Sequence, residues 1–581
     1  MKKKIIPVIT VLFLIIVVIL FMLLGKVIDQ YTPTTERQEL AEYYAISNDS
    51  DVAIILNNEV LDVKGKLIDG NVYLDFNTIQ DYLNPRFYWD SNENILRYTT
   101  ADDLISVNAD SSDYTITKAT QSMGHTIVKA DAQGAYVSVE FVKQYSDFTY
   151  EIYDDPNRIV ITNAWGDYNI TTTKKDTELR YQGGIKSPIL ADITKSTELT
   201  VLEEMENWTK VATTDGIVGY IKKKNLNSAS TKTLVSEYVA ENFTHITKDF
   251  EINMVWHQVT NKDANSDISS KLQSTKGVNV ISPTWFYLNS NSGDVASLAS
   301  SSYVDYCHQN GIEVWALVDN FTNTEVSTTE VLTHSSSRDV LTNDLISYAI
   351  QYNLDGINVD FESVDPAVGD AYIQFIRELS LKCANNGIVL SVDNYAPTDY
   401  TSFYNRAEQA IFADYVILMG YDEHYGNSED AGSTASIGFV TEGVENTLKE
   451  VPANQLILGM PFYTRVWEFT PIEGDATEEA GTEESPDSFV NYSVSSHAIS
   501  MGEAQRMISA NGAEQVWLDD LGQYYSEYEN NGCIYRIWVE DALSLEEKLK
   551  VMDSYQLAGG SFWKLGLEPN TIWDTIIKYI N

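Results

Sequence analysis

From residue 245 to the end of the chain, short apolar runs alternate with longer stretches of helical periodicity. The runs 253–257, 277–282, 313–318, 356–361, 389–392, 415–419, 456–460 and 560–563 are rich in bulky apolar residues and read as strands. Strands alternating with helices predict a parallel sheet with helices packed outside it. Eight such runs within 245–581 fit a closed (β/α)8 barrel, so the fold class is α/β. The surplus length lies mainly between the seventh and eighth runs. It includes an acidic, glycine-bearing stretch, 473–487, expected to be a solvated loop. The fourth run is the most informative. In Ile357-Asn358-Val359-Asp360-Phe361-Glu362 the apolar residues share one face, and Asn358, Asp360 and Glu362 share the other. Inside a barrel, a row of carboxylates costs several kcal/mol per unpaired charge unless each is partnered or used.

Upstream, the pattern divides three more times. Lys2, Lys3 and Lys4 precede an apolar run over 5–24, and about 20 residues at a 1.5 Å rise span a bilayer core. Residues 1–28 therefore read as a cytoplasmic tip and transmembrane signal anchor. The flanking lysines place the N-terminus inside and the rest outside, at the cell membrane as a single-pass protein. A cleaved signal peptide is the alternative, although no small-x-small site follows the run. Residues 29–50 are polar and read as a linker. The block 51–165 carries a weak internal repeat: VYLDFNTIQDYLNPRFYWDSNENILRYT, from Val72, echoes AYVSVEFVKQYSDFTYEIYDDPNRIVIT, from Ala135. Each copy reads as strand, short helix, strand, turn, strand. Residues 169–229 read as a small β domain, with Leu199-Thr200-Val201-Leu202, Trp208-Thr209-Lys210-Val211 and Gly219-Tyr220-Ile221 as its strands.

Composition narrows the partners. The chain has 581 residues with 84 acidic against 39 basic, a formal charge of −45. That excludes a nucleic-acid partner, since phosphate binding needs clustered Lys and Arg. Cys307, Cys383 and Cys533 are far apart and form neither a disulfide framework nor a metal-ligand pattern. No metal or other cofactor is expected. Nothing in the sequence calls for more than a monomer.

The chemistry of a (β/α)8 barrel sits at the C-terminal ends of its strands. Polar and aromatic groups collect there: Trp285 after the second run, Asp319-Asn320 after the third, Asp393-Asn394-Tyr395 after the fifth. The sixth supplies Met419-Gly420-Tyr421-Asp422, the seventh Tyr463-Thr464-Arg465, and the eighth Trp563. Carboxylates ringed by Tyr and Trp suit a neutral sugar polymer. Asp355-Gly356-x-Asn358-x-Asp360-x-Glu362 resembles the D-G-x-D-x-D-x-E signature of glycoside hydrolase family 18, the chitinase-like TIM barrels, with Asn358 at a position where the family usually has Asp. Met419-x-Tyr421-Asp422 and Trp563 match its sixth- and eighth-strand motifs. The repeat block resembles the copper amine oxidase N-terminal domain, with no copper implied, because His125 is its one histidine. Residues 169–229 resemble a bacterial SH3-like domain.

The family resemblance implies substrate-assisted retaining hydrolysis of a sugar bearing an N-acetyl group. Glu362 would be the general acid and base, Asp360 would orient the acetamido group, and Tyr421 would hydrogen-bond it. Asn358, Met419, Asp422, Trp563, Trp285, Asn320, Tyr395, Tyr463 and Arg465 would contact substrate. Asn358 would donate a hydrogen bond to Asp360 without sharing its charge. Each also has a structural reading: Met419 and Trp563 as core, Asp422 as a helix cap, Trp285 and Arg465 as scaffold. Ile537-Trp538-Val539-Glu540-Asp541 and the segment from Leu557 to Gly566 resemble the spore-cortex and cell-wall glucosaminidase branch. The expected substrate is β-linked N-acetylglucosamine in peptidoglycan. The alternatives are chitin or another acetamido polysaccharide, or a lectin-like wall-binding protein with an inactive barrel.

Overall fold

The computed structural model describes residues 5–131, 134–472 and 492–580. It forms two compact units, Met1–Trp89 with Ser106–Ala240, and Asp90–Ile105 with Glu241–Asn581. The stretch 473–487, expected as a solvated loop, and Lys2, Lys3 and Lys4 lie outside the described residues.

The first unit begins with a helix, Ile5–Tyr31, which continues past the apolar run. Its segment Ile9–Tyr31 is long and apolar enough to cross a membrane, and its side chains are not covered by the rest of the chain. Residues 29–50, expected as a linker, instead dock on the small β domain. Tyr44 is buried and donates to the Gly216 carbonyl, and Tyr43 donates to that of Val218. The repeat folds as its pattern predicts: strand Asn71–Asp75 leads into helix Phe76–Tyr82, and strand Gly134–Ser138 into helix Val139–Lys143. Residues 166–234 form a seven-stranded antiparallel sheet around Leu179, Leu199, Val211 and Ile221.

The second unit is a closed parallel barrel. Its strands are β1 (Ile252–His257), β2 (Val280–Leu288), β3 (Glu313–Asp319), β4 (Gly356–Asp360), β5 (Val389–Tyr395), β6 (Tyr415–Met419), β7 (Leu456–Pro461) and β8 (Gly559–Trp563). Each pairs in parallel with the next, and β8 pairs with β1 to close the ring. Helices α1 (Ser335–Tyr352) and α2 (Gly369–Asn386) pack outside β4. Phe361 stacks on Phe375 of α2, with ring centroids 5.3 Å apart.

The lower barrel is filled by large inward side chains, including Trp256, Trp315, Leu317, Tyr415 and Ile417. Gly356 makes room for them, because a β-carbon there would stand 2.6 Å from the Trp315 ring. Inward positions on β4 therefore run Gly356, Asn358, Asp360, from packed floor to open mouth. Asp355 holds the lower end by accepting from the Val314 N–H at 2.8 Å and bonding His308 at 2.8 Å.

Between β7 and β8 the chain inserts a five-stranded antiparallel sheet, with Tyr463–Pro471 and Cys533–Val539 near its centre. Helix Met501–Ala510 covers one face, packing Ala504 and Ile508 on Val466 and Ile537. This insertion carries Tyr463 and Arg465 to the barrel mouth.

Candidate active site

A cleft of about 270 Å³ opens at the C-terminal ends of the strands. Asp360 and Glu362 lie in its wall, with Tyr395, Met419, Tyr421, Asp422 and Trp563 around them. Among the described lining residues there is no Lys, Arg or His. Removal from water is what governs the ionisation of these acids, opposed at Asp422 by the Tyr463 hydroxyl and the Arg465 charge.

Burial, with Asp393, Glu362 and Asp319 close by, raises the Asp360 carboxyl well above the carboxylate range. One of its oxygens, Oδ1, is buried and has no hydrogen-bond partner among the described residues. Burial also raises Glu362, opposed by the Tyr395 hydroxyl, which donates to Oε2 at 2.7 Å. Asp393 is pushed up to about 8 by burial, against the lowering effect of a hydrogen bond from Asn358. Acids that keep protons near neutral pH are what general-acid chemistry requires.

Backbone bonds fix Glu362 from both sides. Its N–H donates to Oδ1 of Asn320 at 2.8 Å, and Nδ2 of Asn320 donates to its carbonyl at 2.9 Å. Asn320 thus braces the acid's main chain and does not line the cleft, contrary to the expected substrate contact. Trp285 departs further. A bulge in β2 between Thr284 and Phe286 leaves Thr284 facing the cleft, while Trp285 is wholly buried. Its indole N–H donates to Asn265 at 2.8 Å and its ring meets Tyr303 edge-on.

Asn358 is also corrected. It lies buried below the cleft and donates to Oδ1 of Asp393 at 2.8 Å, not to Asp360. Its own oxygen accepts from Trp256 at 2.9 Å and Ser282 at 3.0 Å, so its polar atoms are committed to the barrel interior. Tyr463 donates to Asp422, and Arg465 to Ser496 at 3.1 Å; neither lines the cleft. Asp422 has a positive φ of 60° and precedes no helix, which removes its reading as a cap.

Of the lining residues, Asp319 was marked by its place at the third strand end, whereas Phe321 and Gln258 escaped sequence reasoning. Asp319 accepts from the N–H groups of Phe321 and Thr322 and from the Thr322 hydroxyl, shaping the loop after β3. That loop presents Phe321, 45% exposed, to the cleft. Gln258, just past β1, completes the opposite wall. Position after a strand end was the available signal for Phe321 and Gln258. It does not tell which of two neighbouring residues turns inward.

The chain matches the pattern of bacterial SH3 domains over residues 175–227 and of the copper amine oxidase N-terminal domain over 55–162. It is 24% identical over 313 residues to the "Uncharacterized glycosylase YvbX" of Bacillus subtilis, covering 52% of this chain and 84% of that protein. It is 28% identical over 244 residues to a cortical fragment-lytic enzyme of Bacillus subtilis, 40% of this chain and 51% of that protein. The chain thus spans about half the length of the second relative. A solved structure of the Bacillus cereus spore cortex-lytic enzyme SleL superimposes with a TM-score of 0.49 at 18% identity, covering 60% of this chain and 78% of that one. The match that covers the barrel and its cleft, residues 216–568 and more than half of the sequence, is to glycosyl hydrolases family 18, and the chain belongs to that family of hydrolases.

Proposed function

We propose that the protein cleaves β-linked N-acetylglucosamine in peptidoglycan, with Glu362 as general acid and base. The observation that carries this reading is the pairing of Glu362 with Asp360 in a cleft whose described lining residues include no Lys, Arg or His. Burial favours the protonated form of Glu362, the form that a general acid needs at the glycosidic oxygen. The buried, unpartnered oxygen of Asp360 beneath it is an acceptor without a donor, a vacancy that an acetamido N–H fills.

In the proposed sequence Glu362 protonates the departing oxygen. The substrate's acetamido oxygen closes on the anomeric carbon, giving an oxazolinium ion, and Glu362 then takes a proton from the incoming water. Asp360 orients the acetamido N–H, and the Tyr421 hydroxyl bonds the acetamido oxygen. Trp563 and Phe321 supply stacking surface for the sugar. The relation to cortical fragment-lytic enzymes supports a wall glycan as substrate. The N-terminal helix supports attachment to the membrane, with the barrel on the outer side.

Digestion of purified peptidoglycan, and separately of N-acetylglucosamine oligomers, tests the reading. The protein should release fragments ending in reducing N-acetylglucosamine, and Glu362→Gln should not. Cleavage of the oligomers alone would move the substrate to chitin. Binding without cleavage of either would make the barrel a lectin.

A further inference from the structure

Two lysines stand at the rim of a cleft whose wall is acidic. Lys564 directly follows Trp563, and its ammonium donates to Oε1 of Gln258 in the cleft wall. Lys271, in the short helix Ile268–Leu272, reaches the same turn. Its Nζ lies against Gly566, where a β-carbon would stand 3.2 Å away. The two ammonium groups also converge on His257; burial and these two charges hold its imidazole down to about 4. Neither lysine has an ion-pair partner among the described residues. The nearby Glu568 accepts from the Gly566 N–H at 2.7 Å. Burial raises its carboxyl and the Lys271 charge opposes that rise, but it forms no ion pair with either lysine among the described residues.

In a chain with 84 acids and 39 bases, surface lysines readily find carboxylates. Burial and the Lys271 charge lower the pKa of Lys564. With only Glu568, beyond ion-pair reach, to offset them, the two ammonium groups repel one another, an arrangement that a bound anion relieves. Held by Gln258 and the turn after β8, they form a fixed positive corner beside the sugar-stacking face of Trp563.

We propose that Lys271 and Lys564 form a subsite for a carboxylate carried by the muramoyl sugar that neighbours the cleaved N-acetylglucosamine. The proposal rests on the peptidoglycan reading and deepens it. A polymer of N-acetylglucosamine alone has no carboxylate to offer. A wall glycan offers one from two sources: the lactyl ether of a stem-free muramoyl sugar, or the peptide stem where the lactyl group is amidated.

The test compares KM and kcat of the full-length protein in detergent on three substrates. These are N-acetylglucosamine oligomers, amidase-stripped glycan strands and stem-bearing strands. With Lys564→Gln or Lys271→Gln, KM for carboxylated strands should rise about tenfold relative to KM for the oligomers, with kcat on the strands largely kept. Lys564→Arg should restore the ratio. Raised salt should reproduce the shift in the wild type. A change confined to stripped strands assigns the lactyl carboxylate, and one confined to stem-bearing strands assigns the stem. An unchanged ratio in both glutamine variants overturns the subsite. If the wild type cuts oligomers but no wall strand, the substrate reading fails separately. Inhibition of oligomer cleavage by N-acetylmuramic acid then decides the subsite: about tenfold weaker inhibition in the variants supports it, and equal inhibition overturns it.

Discussion

The same unit buries carboxylates in two ways. On the outer layer, Glu378 of α2 lies between Arg97 and Arg338, at 2.9 and 3.0 Å, and accepts from Gln374 at 3.0 Å. Burial opposes its charge, but the two guanidinium groups win and hold the carboxyl down to about 2. At the cleft, the buried Asp360 and Asp393 and the half-buried Glu362 have no cation beside them, and burial wins. The first arrangement uses its acid as a permanent anion to join elements. The second favours the protonated form, the form from which a proton can be given away. Burial alone does not mark an active site; burial without a counter-charge does.

The contrast is broken most severely at Glu362. Glu362→Gln should lower kcat by about 10³-fold while leaving glycan binding in place, read by fragment release and by co-sedimentation with peptidoglycan. Next comes the paired acid. Glu378→Gln removes the buried anion from Arg338 and leaves Arg97 with Asp339 alone, and should cost about 3–5 kcal/mol of stability in urea titration. Asp393→Asn, which removes an unpaired acid, should leave stability at neutral pH unchanged or raised while activity falls.

The two sites should also respond to pH in opposite senses. The carboxyl of Glu378 titrates below its unfolded value, so its contribution is full above about pH 4.5 and is lost as pH falls towards 2. That of Asp393 titrates above its unfolded value, so its contribution to stability falls as pH rises from about 4 towards 8. Stability curves of the wild type against each variant would check both slopes; parallel curves would remove the distinction. A smaller effect is expected at Tyr395, whose hydroxyl stabilises the Glu362 carboxylate. Tyr395→Phe should raise the pKa of Glu362 and move the alkaline limb of the kcat profile to higher pH. The smallest is Trp285→Phe. It should cost about 1 kcal/mol of stability through the lost bond to Asn265 and leave KM unchanged, because the ring lies outside the cleft.

Much of the barrel was legible because its signals are local. Each of the eight apolar runs contains or overlaps a barrel strand, and the alternation in 357–362 predicts which residues of β4 face inward. The third run was the instructive case. Asp319-Asn320 announced a functional strand end, yet which of the two reached the cleft depended on the turn that Asp319 makes with Phe321 and Thr322. At Trp285 a bulge reversed the expected face, and no local pattern encodes a bulge.

The sequence by itself determined the alternation of strand and helix, the inward acid row of β4, and the membership in a hydrolase family carried by the motif around Glu362. These depend on period, residue type and spacing, which are properties of neighbours along the chain. The tertiary structure alone decided that Asn358 bonds Asp393, that Asn320 braces Glu362, and that Arg97, far away in sequence, neutralises Glu378. It alone decided that no Lys, Arg or His is among the described residues of the cleft wall while two lysines meet at its rim. Charge compensation is a matter of distance in space, and a buried acid's proton affinity is set by what closes around it.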